Sequence, residues 1–209
     1  MMRFSPYDWT EKDMIGGNAA LDFVNTAAEW ASGDPEDRLG GPQGFGAWAE
    51  AAGLLYGDDM ARLEKEIAAD PQAGQEVFDT AVRLRAALWR IFNAVITEGD
   101  VDERDLALLD ECKVRAANHC RIAHDGGGFR RRCADEAPAL ERALRLVVEA
   151  AEDLLLNGRL DRLHACGGDH CEWMFVDLSK NGRRRWCDMA TCGNDAKVKK
   201  FRKRKKKAA

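Results

Sequence analysis

No stretch of this 209-residue chain approaches the ~20 consecutive apolar residues that a membrane-spanning helix requires. The opening Met-Met-Arg-Phe-Ser-Pro-Tyr-Asp-Trp-Thr also lacks the apolar core, about 7–15 residues long, of a secretion signal. We therefore expect a soluble, cytoplasmic protein without a membrane partner. Familiar catalytic signatures are missing as well. There is no phosphate-cradling glycine motif, no Gly-x-Ser-x-Gly turn, and no His-x-Glu with Pro-Cys-x-x-Cys of the zinc deaminases. These absences argue against an enzyme. No internal repeat is visible, and low complexity is confined to the C-terminal end.

What is present begins with a charge division. Hydrophobic residues make up 45% of the chain, enough to bury a core without covalent staples. The net charge of −4 conceals two parts: residues 166–209 carry 13 Lys and Arg against 5 Asp and Glu, leaving −12 on residues 1–165. An acidic body with a basic end directs an anionic partner to the end alone.

The body reads as mainly helical. Asn18 can cap a helix running to Trp30, with Leu21, Val24 and Ala28 on one face and Asn18, Asp22 and Asn25 on another. Residues 32–46 hold five glycines and two prolines and read as a loop, followed by a short helix from about Ala47 to Gly53. Helices are predicted over Met60–Ala69, Gln75–Glu98, Asp102–Asn118 and Pro138–Leu156. The second of these carries an apolar stripe of Val77, Ala81, Leu84, Leu88, Ile91 and Val95. The segment around Asp125-Gly126-Gly127-Gly128 reads as a β-hairpin.

The polar stripe of Asn18, Asp22 and Asn25 is a candidate small-molecule site beside the glycine-rich loop, with capping as the competing role. Arg83 and Arg85 are read as solvated charges or ligand contacts. His119 and His124 flank Cys120 without a matching further ligand, so Cys112, Cys120 and Cys133 are expected to be core or near-surface thiols.

The other four cysteines form the pattern Cys166-x4-Cys171-x15-Cys187-x4-Cys192. Two matched pairs, separated by a segment able to fold back through Ser179-Lys180-Asn181-Gly182, suit one tetrahedral metal. Four thiolates leave no open coordination position, so one structural Zn²⁺ is expected, not a catalytic one. Neither pair has the Cys-x-x-Cys spacing of a redox site. His170 is a further donor that could replace a sulfur. A Zn²⁺ with four thiolates carries −2, which Arg183, Arg184 and Arg185, expected on a second hairpin strand, would offset.

From Lys197 to Lys207 nine of eleven residues are Lys or Arg. A helix opening near Cys192 or Asn194 would present these cations from a start fixed by the metal, which favours phosphate binding over a solubilising tail. The candidate nucleic-acid contacts are Arg183, Arg184, Arg185, Asn194, Lys197, Lys199, Lys200, Arg202, Lys203 and Arg204.

Cys166…Cys171, Trp173, Phe175, Asp177, Ser179, Asn181, Arg184-Arg185-Trp186-Cys187 and Cys192-Gly193-Asn194, with the basic end, resemble the CGNR-type zinc finger of bacterial transcription regulators. The resemblance covers about residues 160–207. It implies a treble-clef-like finger with Cys166, Cys171, Cys187 and Cys192 as ligands. Gly16-Gly17-Asn18-Ala19-Ala20-Leu21-Asp22-Phe23-Val24-Asn25-Thr26 looks like the start of the ABATE domain that accompanies this finger in stress-induced regulators. Asp195 departs from the family, standing where its motif has arginine.

The expectation is thus an α+β chain: an acidic, mainly helical domain over 1–160 with a late hairpin, then a four-cysteine finger and basic helix over 161–209. Its expected function is transcription regulation by DNA binding, with the larger domain sensing a small molecule or protein effector. The residues leave two alternatives: an RNA- or ribosome-associated protein, and a protein–protein adaptor with a solubilising tail.

Overall fold

The computed structural model describes residues 3–4, 7–28, 30, 35–134, 137–169 and 171–207. Its helices begin where the sequence supplies caps. Asn18 has extended backbone and its side chain accepts from the Ala20 amide, opening α1 (Ala19–Val24). Pro42 sits in the first turn of α2 (Pro42–Ala51). Asp70 both ends α3 (Asp59–Ala69) and caps α4 (Pro71–Thr97) through the Ala73 amide. Asp102 caps α5 (Glu103–Ala117) through the Arg104 amide, and α6 (Ala139–Asn157) follows Pro138. The last helix is α7 (Asn194–Lys207).

The expected continuation of the first helix to Trp30 is not found. The Thr26 hydroxyl donates to the Phe23 carbonyl at 2.6 Å and Asn25 engages the distant Met174 backbone, which turns the chain out of the helix. It enters β2 (Ala27–Ala28), antiparallel to β3 (Glu36–Asp37), which in turn pairs in parallel with β1 (Arg3–Phe4). Helix α2 conversely starts at Pro42, not near Ala47, inside the glycine-rich stretch. A Cβ on Gly44 would lie 1.7 Å from the Leu39 carbonyl oxygen, so glycine there permits close approach of two backbones.

The core is built on α4. Val77, Ala81, Leu84, Leu88 and Ile91 are buried at helical spacing, and Val95 is partly buried. Around it pack Phe23, Phe45, Trp48 and Leu63 from α1 to α3 and Leu144, Val147 and Val148 from α6. Arg85, expected at the surface or on a ligand, is fully buried within this core. Its guanidinium lies 2.7 Å from the Asp37 carboxylate and donates to the Thr26 hydroxyl at 2.7 Å, tying the small sheet to α4. Desolvation lowers its pKa and Asp37 opposes that shift. Arg83 is exposed.

The glycine turn does form a hairpin, β4 (Cys120–His124) with β5 (Phe129–Cys133). The register places Cys120 opposite Cys133, and the two are joined by a disulfide, correcting their expected state as free thiols. Counting outward from the turn pairs them, a signal present in the sequence. Cys112 is free and buried, and burial raises its pKa.

A third small sheet joins β6 (Leu163–Ala165) to β7 (Met174–Val176), antiparallel. Its side chains alternate: Met174 and Val176 enter the main core, while Phe175 packs with Cys166 and Cys187. Burying each of those core side chains contributes about 1.5–3 kcal/mol. The outer edge of β7 is covered by the α1 region. The Val176 amide donates to the Gly16 carbonyl at 2.8 Å, and Asn25 accepts from the Met174 amide at 2.8 Å while donating to its carbonyl at 3.0 Å. The edge is satisfied as a further strand would satisfy it.

Among the described residues no helix is long and apolar enough to cross a membrane. The architecture is α+β, mainly helical, with three small sheets among the described residues.

Candidate metal centre

The four sequence-predicted ligands converge. Cys166 directly follows β6, and its amide donates to the Trp173 carbonyl at 2.8 Å, extending the β6–β7 ladder into the knuckle. The chain then turns tightly, with the Cys171 amide donating to the Gly168 carbonyl at 3.2 Å. A Cβ at Gly168 would sit 3.2 Å from both Cys171 Cβ and Cys192 Sγ, so this corner suits glycine.

The return segment is fixed by one carboxylate. Asp177, almost fully buried, accepts from the Ser179 amide and the Arg184 amide, each at 2.8 Å. These bonds, with that to the Ser179 side chain the largest contribution, hold its pKa down at about 2. Arg183–Arg185 is not the strand expected there; instead the Arg185 carbonyl accepts from the Gly167 amide at 2.8 Å. This brings Cys187 beside Cys166, whose Sγ accepts from the Cys187 amide at 3.2 Å. Cys192 lies in a π-turn, Met189–Gly193, capped by Asp188 through the Thr191 amide.

All four Sγ atoms lie within 4.8 Å of one another. The Cys171–Cys187 and Cys187–Cys192 sulfur separations are each 3.6 Å. Four sulfurs about 2.3 Å from a tetrahedral Zn²⁺ stand about 3.8 Å apart, so the donor set fits the ion. Protonation chemistry agrees. Hydrogen bonds from Cys171 and then Cys187 push the Cys166 thiol down, while Cys166 pushes Cys171 and Cys187 up. Four thiolates this close need a cation to coexist. Cys166, Cys171, Cys187 and Cys192 hold one structural zinc. His170 lies outside the described residues.

The basic residues divide into two groups. Arg184, expected on nucleic acid, is instead a brace of the finger. Its guanidinium donates to the Trp186 carbonyl and the Ile15 carbonyl, each at 3.1 Å, and to the Cys187 carbonyl, and stands 4.1 Å from the Phe175 ring centre. Three carbonyls engage its Nε and Nη2, which leaves Nη1 as the donor available to phosphate. Arg183, Arg185, Asn194, Lys197, Lys199, Lys200, Arg202, Lys203 and Arg204 are exposed. Arg185 stands 5.5 Å from the Trp186 ring, and Lys199 pairs with Asp169 of the knuckle at 2.6 Å. Helix α7 begins two residues after Cys192, so its positive N-terminal end lies next to the last ligand in the chain. Asp195, also exposed, lies in that first turn.

The stripe expected to face a small molecule is occupied internally. Asn18 caps α1 and donates to the Ala150 carbonyl at 3.1 Å. Asp22 accepts from the Gly16 amide at 2.7 Å, and burial pushes its pKa up to about 6. Asn25 is committed to Met174. These three side chains hold the finger edge and the α1 entry.

A family model described as "Putative stress-induced transcription regulator" (ABATE) matches residues 17–158, and the CGNR zinc finger model matches residues 162–205. No curated protein matches the chain. With its larger part matched by one model and its cysteine cluster by the other, the chain belongs to the ABATE family and carries a CGNR zinc finger.

Proposed function

We propose that the chain regulates transcription by binding duplex DNA through α7 and the adjoining surface of the finger. The observation that carries this is the placement of α7. The zinc ligand Cys192 lies in the turn that leads into the helix, so the metal fixes where a strongly basic helix starts and in which direction it projects. The Lys199–Asp169 pair holds the same helix against the knuckle. The exposed cations of α7, with Arg183, Arg185 and Asn194, are the main contact set, and Arg184, held by three carbonyls, can add only its Nη1. Knuckle, return segment, second ligand pair and helix come in that order along the chain, which supports a treble-clef-like reading. Four protein sulfurs leave zinc no position for water or substrate, so the centre is structural, and we read the chain as a binding protein rather than an enzyme. This reading places it in the cytoplasm with the DNA.

The helical domain is read as the part that answers a small molecule or protein effector. In place of the α1 stripe, the supporting feature is a cavity of about 370 Å³ lined by Ile67, Ala73, Val77 and Leu140 together with Glu66 and Arg115.

The test is binding of the zinc-loaded chain to duplex DNA and to RNA of equal length, followed by selection from random duplexes. If 6–10 phosphates are neutralised, DNA affinity falls ~10³–10⁵-fold between 50 and 200 mM salt. Enrichment of a duplex sequence supports regulation through DNA; a flat salt response, or tighter binding to RNA, overturns it.

A further inference from the structure

The β4–β5 hairpin is a basic ribbon on an acidic body. Between His119 and Ala134 it carries four arginines and one aspartate, whereas residues 1–165 sum to −12; the Asp135 and Glu136 that follow lie outside the described residues. Two of the arginines are internally matched: Arg130 pairs with Asp125 at 2.8 Å and Arg131 with Glu149 at 2.9 Å. Arg121 and Arg132 are different. The register sets them directly opposite on one face, both are exposed, and among the described residues neither has a carboxylate partner. Like charges placed directly across a sheet are destabilising. An anion between them converts that repulsion into two charge-assisted hydrogen bonds. Asn118 and His119 complete, with this pair, an open cleft of about 460 Å³.

The ribbon also ends in unpacked apolar surface. Ile122 and Phe129 are 80% and 81% exposed on the opposite face, next to the glycine turn. At its base Cys120 stands opposite Cys133, so a disulfide closes the ribbon when the pair is oxidised. A two-stranded ribbon fits the DNA major groove, where cationic side chains reach phosphate.

We propose that the Cys120–Cys133 hairpin is a second nucleic-acid-binding element, in which Arg121 and Arg132 grip duplex phosphates. This rests on the DNA-binding reading of α7. Where both basic elements reach one duplex, the second contact gains a high effective concentration once the first is made.

The experiment uses the full zinc-loaded chain and a fluorescent 30-base-pair duplex, titrated by anisotropy from 50 to 200 mM KCl. Three variants are compared with the unaltered chain: R121A/R132A, R121K/R132K, and K197A/K200A/R202A/K203A in α7. Losing two phosphate contacts makes the log-affinity against log-salt slope shallower by about 1.8, so the affinity advantage of the unaltered chain over R121A/R132A shrinks about 10-fold across this range. R121K/R132K keeps the slope. Zinc content and melting temperature of R121A/R132A should be unchanged or higher, because a repulsive pair has been removed. If R121A/R132A keeps the full slope while the α7 variant loses it, the hairpin proposal is overturned and the α7 reading stands. If the unaltered chain does not bind, both fall.

Discussion

Asn25→Ala tests whether the α1 stripe serves the fold or a ligand. Asn25 is 2% exposed and holds both polar backbone groups of Met174, itself 1% exposed, at 2.8 and 3.0 Å. Alanine leaves one buried amide and one buried carbonyl without partners, and each such group costs about 1–3 kcal/mol. The expected loss is therefore about 2–6 kcal/mol, at the seam between α1 and the finger. Urea unfolding followed by circular dichroism measures it, and zinc transfer to a colorimetric chelator should accelerate because β7 leads out of the knuckle. Asn25→Asp keeps the acceptor for the Met174 amide but loses the donor and buries a charge, so it should be no milder. A loss below about 0.5 kcal/mol, in the range of an ordinary surface substitution, with unchanged zinc release, would refute the reasoning.

Cys187→Ser removes the sulfur that stands 3.6 Å from both Cys171 and Cys192, so bound zinc should fall well below one per chain by elemental analysis. Helicity from α7 should fall with it; full zinc occupancy would contradict the four-thiolate centre. Asp22 gives a pH signature. Its folded pKa of about 6 lies above the ordinary 3.8, so the fold favours the protonated form. The stabilisation is therefore complete below about pH 4 and lost as pH rises through 6, an effect on the order of 3 kcal/mol. Asp22→Asn should flatten the difference between unfolding profiles at pH 4 and 7; an unchanged profile would show that Asp22 titrates normally. Asp195→Arg replaces an exposed acid in the first turn of α7 with the residue of the family motif. It should steepen the salt dependence of DNA binding by about 0.9 for one added phosphate contact, and an identical slope would place that residue away from the DNA.

The metal centre was legible because its chemistry is local. Four cysteines in two equally spaced pairs state both the donor set and its geometry before any tertiary contact is known. Helix α4 was legible for a related reason, since its apolar stripe is buried almost as its period requires. Long-range partners account for the misreadings. Trp30 fell outside the first helix because Asn25 is drawn to Met174, 149 positions away. Arg85 is buried because Asp37 comes to it from a strand that periodicity does not reveal. Arg184 had every mark of a phosphate contact, being one of three consecutive arginines beside a zinc ligand, until Ile15, Trp186 and Cys187 were found around its guanidinium.

The sequence by itself determined the zinc ligands, the basic helix that follows them, the positions of most helices and the hairpin at the glycine turn. Each is written in spacing, caps or charge over a short span of chain. Only the tertiary structure decided which polar residues are free to meet a partner. It committed Asn18, Asp22, Asn25 and Arg184 to internal bonds and left Arg121 and Arg132 facing each other in solvent. Whether a polar side chain is free depends on which groups the folded chain brings within hydrogen-bond reach, and those groups can lie anywhere in the sequence.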